Sequence, residues 1–245
     1  MSRLDALWAD APGPIGPFDP AAIAHLPAPA RAWLTRAIAP GTPLYQAVRL
    51  EMTGEIRLGE TWSAFTAEQV IRWDRGFEWD ASTRMKGLPI SGFDRLLDGE
   101  GAMRWRLFGL IPVVTAGGVD VRRSAAGRLH GEATWLPTVL LGDDVTWTVD
   151  PADHAVAVVR AHGEETTLTL GIDPDGRLAW VTFPRWGDPD GVLGWHPFTV
   201  HNDGELTADG VTLGAKVRAG WIDLATRIKL SYAQHHVHLL SIRYT

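Results

Sequence analysis

The clearest pattern in the chain begins at Val48. Val48, Leu50, Met52, Gly54, Ile56 and Leu58 occupy alternate positions, and Arg49, Glu51, Thr53, Glu55 and Arg57 fill the gaps between them. A period of two over eleven residues predicts a β-strand with one apolar and one wet face. Shorter segments alternate in the same way. Phe77, Trp79 and Ala81 interleave with Glu78, Asp80 and Ser82, Met103, Trp105 and Leu107 with Arg104 and Arg106, and Val145, Trp147 and Val149 with Thr146 and Thr148. Residues 166–172 and 177–183 flank Asp173-Pro174-Asp175-Gly176, a sequence suited to a hairpin turn. Residues 211–221 and 226–244 read as the last strands.

Helical spacing is confined to a few places. Ser2 and Asp5 form a capping-box pattern before Leu4, Leu7 and Trp8. Pro12, Pro14, Pro17 and Pro20 then enforce extended chain. Ala30, Trp33, Leu34, Ala37 and Ile38 share one helical face between Pro29 and Pro40-Gly41. Ser91 to Asp98, with Phe93, Leu96 and Leu97 on one side and Gly99 as a stop, predicts a short helix, as does the apolar stretch Trp135 to Leu141. Many strands and few helices predict a mainly β, α+β fold. Its body is a large curved antiparallel sheet or half-open barrel, closed by short helices. On this reading residues 1–44 form an N-terminal helical segment packed on a β half-barrel of residues 45–245, in a single domain overall.

Composition narrows the function classes. The 245 residues are 45% hydrophobic and 21% charged, ordinary values for a folded domain. A net charge of -6 leaves no basic footprint for nucleic acid. The absence of cysteine excludes disulfides, thiol catalysis and thiolate metal sites, and suits a reducing, cytoplasmic setting. No apolar run is long enough to predict an integral membrane segment. The unusual count is tryptophan, 12 against 3 tyrosines. Indoles on the inner face of a curved sheet pack the core or stack on a flat apolar ligand.

The sequence holds no G-x-S-x-G, H-E-x-x-H or phosphate-loop motif, and Gly99-Glu100-Gly101 lies in a turn before a strand rather than between strand and helix. No cofactor or metal site is therefore expected. Three groupings carry candidate chemistry. His235, His236 and His238 lie near the C-terminus; on a regular strand His236 and His238 share the apolar face with Leu240, Ile242 and Tyr244, as acid–base or ligand-contact groups, as two nitrogens for a metal, or as ordinary partly exposed histidines. His130 and Glu132 share a face if 128–137 is extended, where a carboxylate orients a histidine or pairs with Arg123 or Arg128. Glu78 and Asp80 form a possible carboxylate pair, or a solvated strand face. The region around Arg185-Trp186-Gly187 and Gly194-Trp195-His196-Pro197-Phe198 reads as an aromatic loop over a pocket mouth, or as loop packing.

Several segments in order resemble a known family. They include Leu26-Pro27 through Trp33-Leu34, Trp62 through Gln69, Gly76-Phe77-Glu78-Trp79-Asp80-Ala81, Asp98-Gly99-Glu100-Gly101 and Gly109-Leu110-Ile111-Pro112-Val113. Glu132-Ala133-Thr134-Trp135-Leu136-Pro137, Arg185-Trp186-Gly187 and Ala219-Gly220-Trp221 continue the series. Together they resemble the uncharacterised bacterial domain-of-unknown-function family 6544, which in outline is similar to the lipoprotein-carrier type of half-barrel. The resemblance implies no catalytic residues. The C-terminal His-His-Val-His departs from its pattern.

Two functions follow as expectations. The first is a binding protein holding a hydrophobic small molecule or acyl chain against Trp79, Trp105, Arg128, Trp135, Trp195 and Trp221. The second is a cofactor-independent isomerase, cyclase or hydrolase, with Glu132 or Asp80 as base, His236 or His238 as acid, and Arg128 for an anionic group. The site assignment stands only if Trp79, Trp105, Glu132 and His236 line one cavity.

Overall fold

The computed structural model describes residues 2–58, 61–221 and 234–245. Helix α1 (Arg3–Ala9) starts at the expected capping box: Ser2 Oγ accepts the Asp5 N–H, and the Asp5 carboxylate accepts the Ser2 N–H. A proline-rich extended segment leads to α2 (Ala28–Ala37), whose Ala30, Trp33, Leu34 and Ala37 are buried. Six strands follow: β1 (Ala47–Leu58), β2 (Thr61–Arg72), β3 (Gly76–Met85), β4 (Leu88–Leu97), β5 (Glu100–Leu107) and β6 (Ile111–Gly117). Helix α3 (Val119–Glu132) and two short 3-10 turns, Ala133–Trp135 and Pro137–Leu141, then lead into β7 (Val145–Val149), β8 (Ala155–Ala161), β9 (Glu164–Ile172), β10 (Leu178–Gly187) and β11 (Gly194–Asn202). The small hairpin β12 (Glu205–Ala208) and β13 (Val211–Gly214) precedes β14 (Lys216–Trp221) and β15 (Gln234–Tyr244).

Thirteen strands form one antiparallel sheet in the order β6-β5-β4-β3-β2-β1-β15-β14-β11-β10-β9-β8-β7. The sheet curls into a half-barrel, and α3 lies inside it, touching β3, β4, β5 and β6 on one side and β8, β9 and β10 on the other. Strand register decides which side chains reach α3. Val48, Ile71, Phe77 and Leu96 form one inner row, and Leu50, Gln69, Trp79, Asp94 and Met103 the next. The outer face carries α1, whose Leu4 and Leu7 pack on Val70.

Glycines in α3 set how closely the helix lies on the sheet. A Cβ on Gly131 would come within 2.4 Å of the Phe183 ring, so only glycine lets the helix rest on β10 at this depth.

Three local expectations are corrected. Ser91–Asp98 is not a helix: residues 91–97 belong to β4, paired residue for residue with β3 and β5, and Asp98 begins the turn after it. Its Ser-x-x-Asp pattern imitates a cap, but edges on both sides offer the backbone a complete ladder, and tertiary pairing overrides local propensity. Residues 128–132 are the last turn of α3 rather than strand, so Arg128 and Glu132 stack four residues apart along the helix.

The third correction concerns the C-terminal histidines. Glu51 pairs with Ser241 and Met52 with Leu239, so Leu240 is an extra residue in β15, a bulge that reverses the parity of the strand. Val237 and Leu239 point inward, as do Ile242 and Tyr244 beyond the bulge. His236 and His238 therefore lie on the outer face, not the apolar one. The expected strand 226–244 is described from Gln234 onward, and residues 226–233 lie outside the described residues. The stretch 211–221 divides into β13 and β14.

Candidate functional site

The inner face of β2–β5 beneath α3 carries an enclosed polar cluster in aromatic surroundings. Arg128 descends from α3 over the faces of Phe77 and Trp79, at 4.8 and 4.9 Å from the ring centroids. Its Nε donates to Glu132 Oε1 at 2.7 Å, and a terminal nitrogen donates to Gln69 Oε1 at 3.3 Å. Gln69 is fully buried and returns a hydrogen bond from Nε2 to Glu132 Oε2 at 2.6 Å. Asp94 lies 3.6 Å from Arg128 and accepts the Trp105 indole N–H at 2.9 Å. The Trp105 and Trp79 rings are 5.7 Å apart. Asp94 and Gln69 reach this point because they fall on the inner parity of their strands, where the neighbouring rows are apolar.

A second guanidinium completes the cluster. Arg185 on β10 lies over Phe198 and Trp221 at 4.9 and 5.6 Å, and its Nε donates to the Ser124 carbonyl at 3.3 Å. Among the described residues no carboxylate lies within ion-pair distance of it. Burial, followed by the neighbouring Arg128 cation, lowers its pKa to about 10, so it remains charged at neutral pH. Burial pushes the Asp94 carboxyl upward against the pull of Arg128 and the Trp105 N–H. Two guanidinium groups and two carboxyl groups thus share the cluster. One donor is left over: the Trp79 indole N–H is buried without an acceptor.

The structure thus brings four of the sequence-singled residues together: Trp79, Trp105, Arg128 and Glu132. Trp221 joins them through Arg185. Trp135 packs elsewhere in the core, where its carbonyl accepts the Tyr244 hydroxyl at 3.0 Å. Trp195 is largely exposed and meets Trp186 edge to face at 5.4 Å. Sequence reasoning did not single out Gln69, Asp94 or Arg185. The only signal for Arg185 was its place in the Arg-Trp-Gly stretch.

The remaining candidates lie on the outer face. His236 stacks on Trp62 at 4.4 Å and lies 3.7 Å from Glu55. His238 is exposed. Asp80 sits with Glu51, Glu68 and Phe93 along an open groove of about 600 Å³. Burial, then the nearby Glu78, raises its pKa to about 6. Glu132 is inside while Asp80, His236 and His238 are outside, and β1 and β2 separate Asp80 from the histidines. Trp79, Trp105, Glu132 and His236 therefore do not line one cavity, and the expected base and acid pairs of Glu132 with His236 or His238 do not meet.

His130, the other candidate in this region, turns away from Glu132. Its Nδ1 meets Thr166 Oγ1 at 2.7 Å and its Nε2 the Ala161 carbonyl at 3.2 Å. A carbonyl only accepts, so Nε2 carries the proton and Nδ1 accepts from the threonine. Burial, then the nearby His162, lowers its pKa to about 4. It is a neutral core residue. Among the described residues no group of three or more His, Asp or Glu side chains is placed to hold a metal.

A half-barrel with a helix laid along its inner face and a buried ionic cluster between them defines a structural class, and the comparisons place the chain within a family. The model of the family of unknown function DUF6544 matches residues 16–233, and the chain belongs to that family. Among solved structures, a LolA-superfamily protein of Nitrosomonas europaea matches with a TM-score of 0.50 at 7% identity, over 89% of this chain and 92% of that one. A DUF1329-family protein of Desulfovibrio piger matches with a TM-score of 0.40 at 13% identity, over 82% of this chain and 86% of that one. The first likeness shows a shared LolA-type fold, and the second is too distant to carry an argument. No curated protein matches the chain in sequence.

Proposed function

We propose that this protein binds a hydrophobic small molecule or acyl chain on the inner face of its half-barrel, with an anionic head group held by Arg185 beside Arg128. One observation carries the reading. Arg185 is a partly enclosed guanidinium over two aromatic faces, with a single hydrogen bond and no carboxylate in contact among the described residues. A guanidinium fork in that setting suits a carboxylate or phosphate oxygen pair. The surrounding Trp79, Trp105, Phe198 and Trp221 supply flat apolar contact, and the Trp79 N–H offers a further donor. Sites of this kind combine a mostly apolar lining with a few fixed polar groups. The half-barrel fold, shared with a LolA-superfamily protein, supports the same reading.

The test is a fluorescence titration with a long-chain carboxylate and with the alcohol of equal chain length. The carboxylate should quench tryptophan emission and bind about ten-fold or more tightly than the alcohol. Arg185→Met should remove that preference while leaving weak alcohol binding in place. Equal affinity for both head groups, unchanged in the variant, would refute the role of Arg185. No quenching by either compound would refute the binding reading itself.

A further inference from the structure

Two hairpin tips at one edge of the sheet concentrate exposed apolar side chains. The β3–β4 tip exposes Met85 and Leu88, and the β5–β6 tip with the edge strand exposes Phe108, Leu110, Ile111, Val113 and Val114. Leu110 is 78% exposed and Phe108 56%. The tips are neighbours, joined by a hydrogen bond from the Phe108 N–H to the Pro89 carbonyl at 3.0 Å. Lys86 and Phe108 both adopt positive φ, so the turns are tight and thrust these side chains outward.

The charge pattern is equally one-sided. Arg84, Lys86, Arg104 and Arg106 flank the apolar tips, and residues 81–93 and 101–119 contain no Asp or Glu. All four are exposed, and none is in an ion pair among the described residues. Two cationic stretches without Asp or Glu, in a chain of net charge -6, are a local departure from the rest of the sequence.

The edge strand invites a second copy of the chain, but two features oppose that occupant. Pro112 removes an N–H from β6, which interrupts strand pairing. Two copies meeting at this patch would also set like charges against each other. Exposed apolar side chains ringed by cations instead match an anionic bilayer, where side chains enter the acyl boundary and Lys and Arg meet lipid phosphates.

We infer that the β3–β4 and β5–β6 tips form a docking surface for anionic lipid membranes. This goes beyond the inner-face ligand reading and stands or falls apart from it.

The test is co-sedimentation of the full chain with vesicles of phosphatidylcholine alone and with one-third phosphatidylglycerol. Binding is expected to the mixed vesicles and to fall at high salt. Lys86→Ala and Arg106→Ala should each weaken it about five-fold. Leu110→Ser with Phe108→Ser should weaken it ten-fold or more, and Val192→Ser with Leu193→Ser, at a different tip, should leave it unchanged. Circular dichroism confirms that each variant is folded. Three results would overturn the inference: no sedimentation with either vesicle, equal loss in the Val192/Leu193 control, or a lipid-free dimer that the Leu110/Phe108 variant abolishes. Arg185→Met, which removes head-group preference inside the barrel, should sediment as the unaltered chain does.

Discussion

The sheet around β2, β3 and β4 has ionisable groups on both faces, and the two faces treat them differently. Inside, Arg128, Glu132, Asp94 and Gln69 are fixed to one another beneath a helix, with Arg185 beside them. Outside, Glu51, Glu68, Asp80 and Glu78 run side by side with fewer cations, relieved by Arg49, Arg3 and Arg95 at one end. Water screens Glu51, Glu68 and Asp80, so crowding of like charge is tolerated there, while Glu78, buried beneath α1, is paired with Arg3 and Arg95. Inside, each charge requires a partner at a set distance. The inner face is therefore where a single substitution has a large effect, and where a ligand's charge would be read most sharply.

Breaking the inner network should have the largest effect. Arg128→Met leaves Asp94 and Glu132 without their shared cation and should cost about 3 kcal/mol in urea unfolding. Adding Glu132→Leu and Asp94→Leu should restore part of that loss. On the outer face the exposed Arg160–Glu165 pair gives the contrast: Arg160→Ala should change stability by less than about 1 kcal/mol.

The next effect is a pH dependence from His130. Its folded-state pKa of about 4 lies below the usual 6.5, so the unfolded chain takes up a proton first as pH falls. Its contribution is complete above pH 6.5 and is lost as pH drops toward 4, by about 3 kcal/mol in all. Stability of the wild type measured against His130→Gln should diverge with pH across that window and be parallel above it. Parallel curves throughout would mean that His130 is not held neutral.

Asp80 should act with the opposite sign and more weakly. Its pKa, raised from 3.8 to about 6, favours the protonated form in the fold, so stability falls as pH rises through that interval. Asp80→Asn should therefore stabilise the protein at pH 7, by about 1 kcal/mol given the solvent screening of a half-exposed group, with the gain disappearing below pH 4. The smallest effect belongs to His236. Stacked on Trp62 at the surface, it should change the melting temperature by no more than a degree or two when replaced by alanine.

How much of this was legible in the sequence depended on how local each determinant is. The period of two from Val48 to Leu58 needs only neighbouring residues, and it gave β1 with its buried and wet faces correctly. The capping box at Ser2 was equally self-contained. The histidines were assigned to the wrong face because the single extra residue, Leu240, is defined only against its partner strand. Residues 91–98 were read as helix because their side-chain spacing allows it, while the edges of β3 and β5 that make them a strand lie elsewhere in the chain. Helix α3 was half hidden by Gly127 and Gly131, which weaken helical propensity but allow close contact with β10. Trp79, Trp105, Arg128 and Glu132 were recognisable as residue types. That Trp79 and Trp105 meet follows from the register of β3, β4 and β5, and that Arg128 meets them follows from α3 crossing the inner face. Arg185 was missed because its significance lies in having no carboxylate beside it among the described residues, which only three-dimensional neighbours reveal.

Photo-crosslinking with a diazirine-bearing long-chain carboxylate, read out by peptide mass spectrometry, tests the ligand account most directly. Adducts on Trp79, Trp105, Phe198 or the facing side of α3, reduced in Arg185→Met, are the predicted result. Adducts concentrated along the outer groove of Glu51, Glu68, Asp80 and Phe93, with none on the inner face, would contradict it.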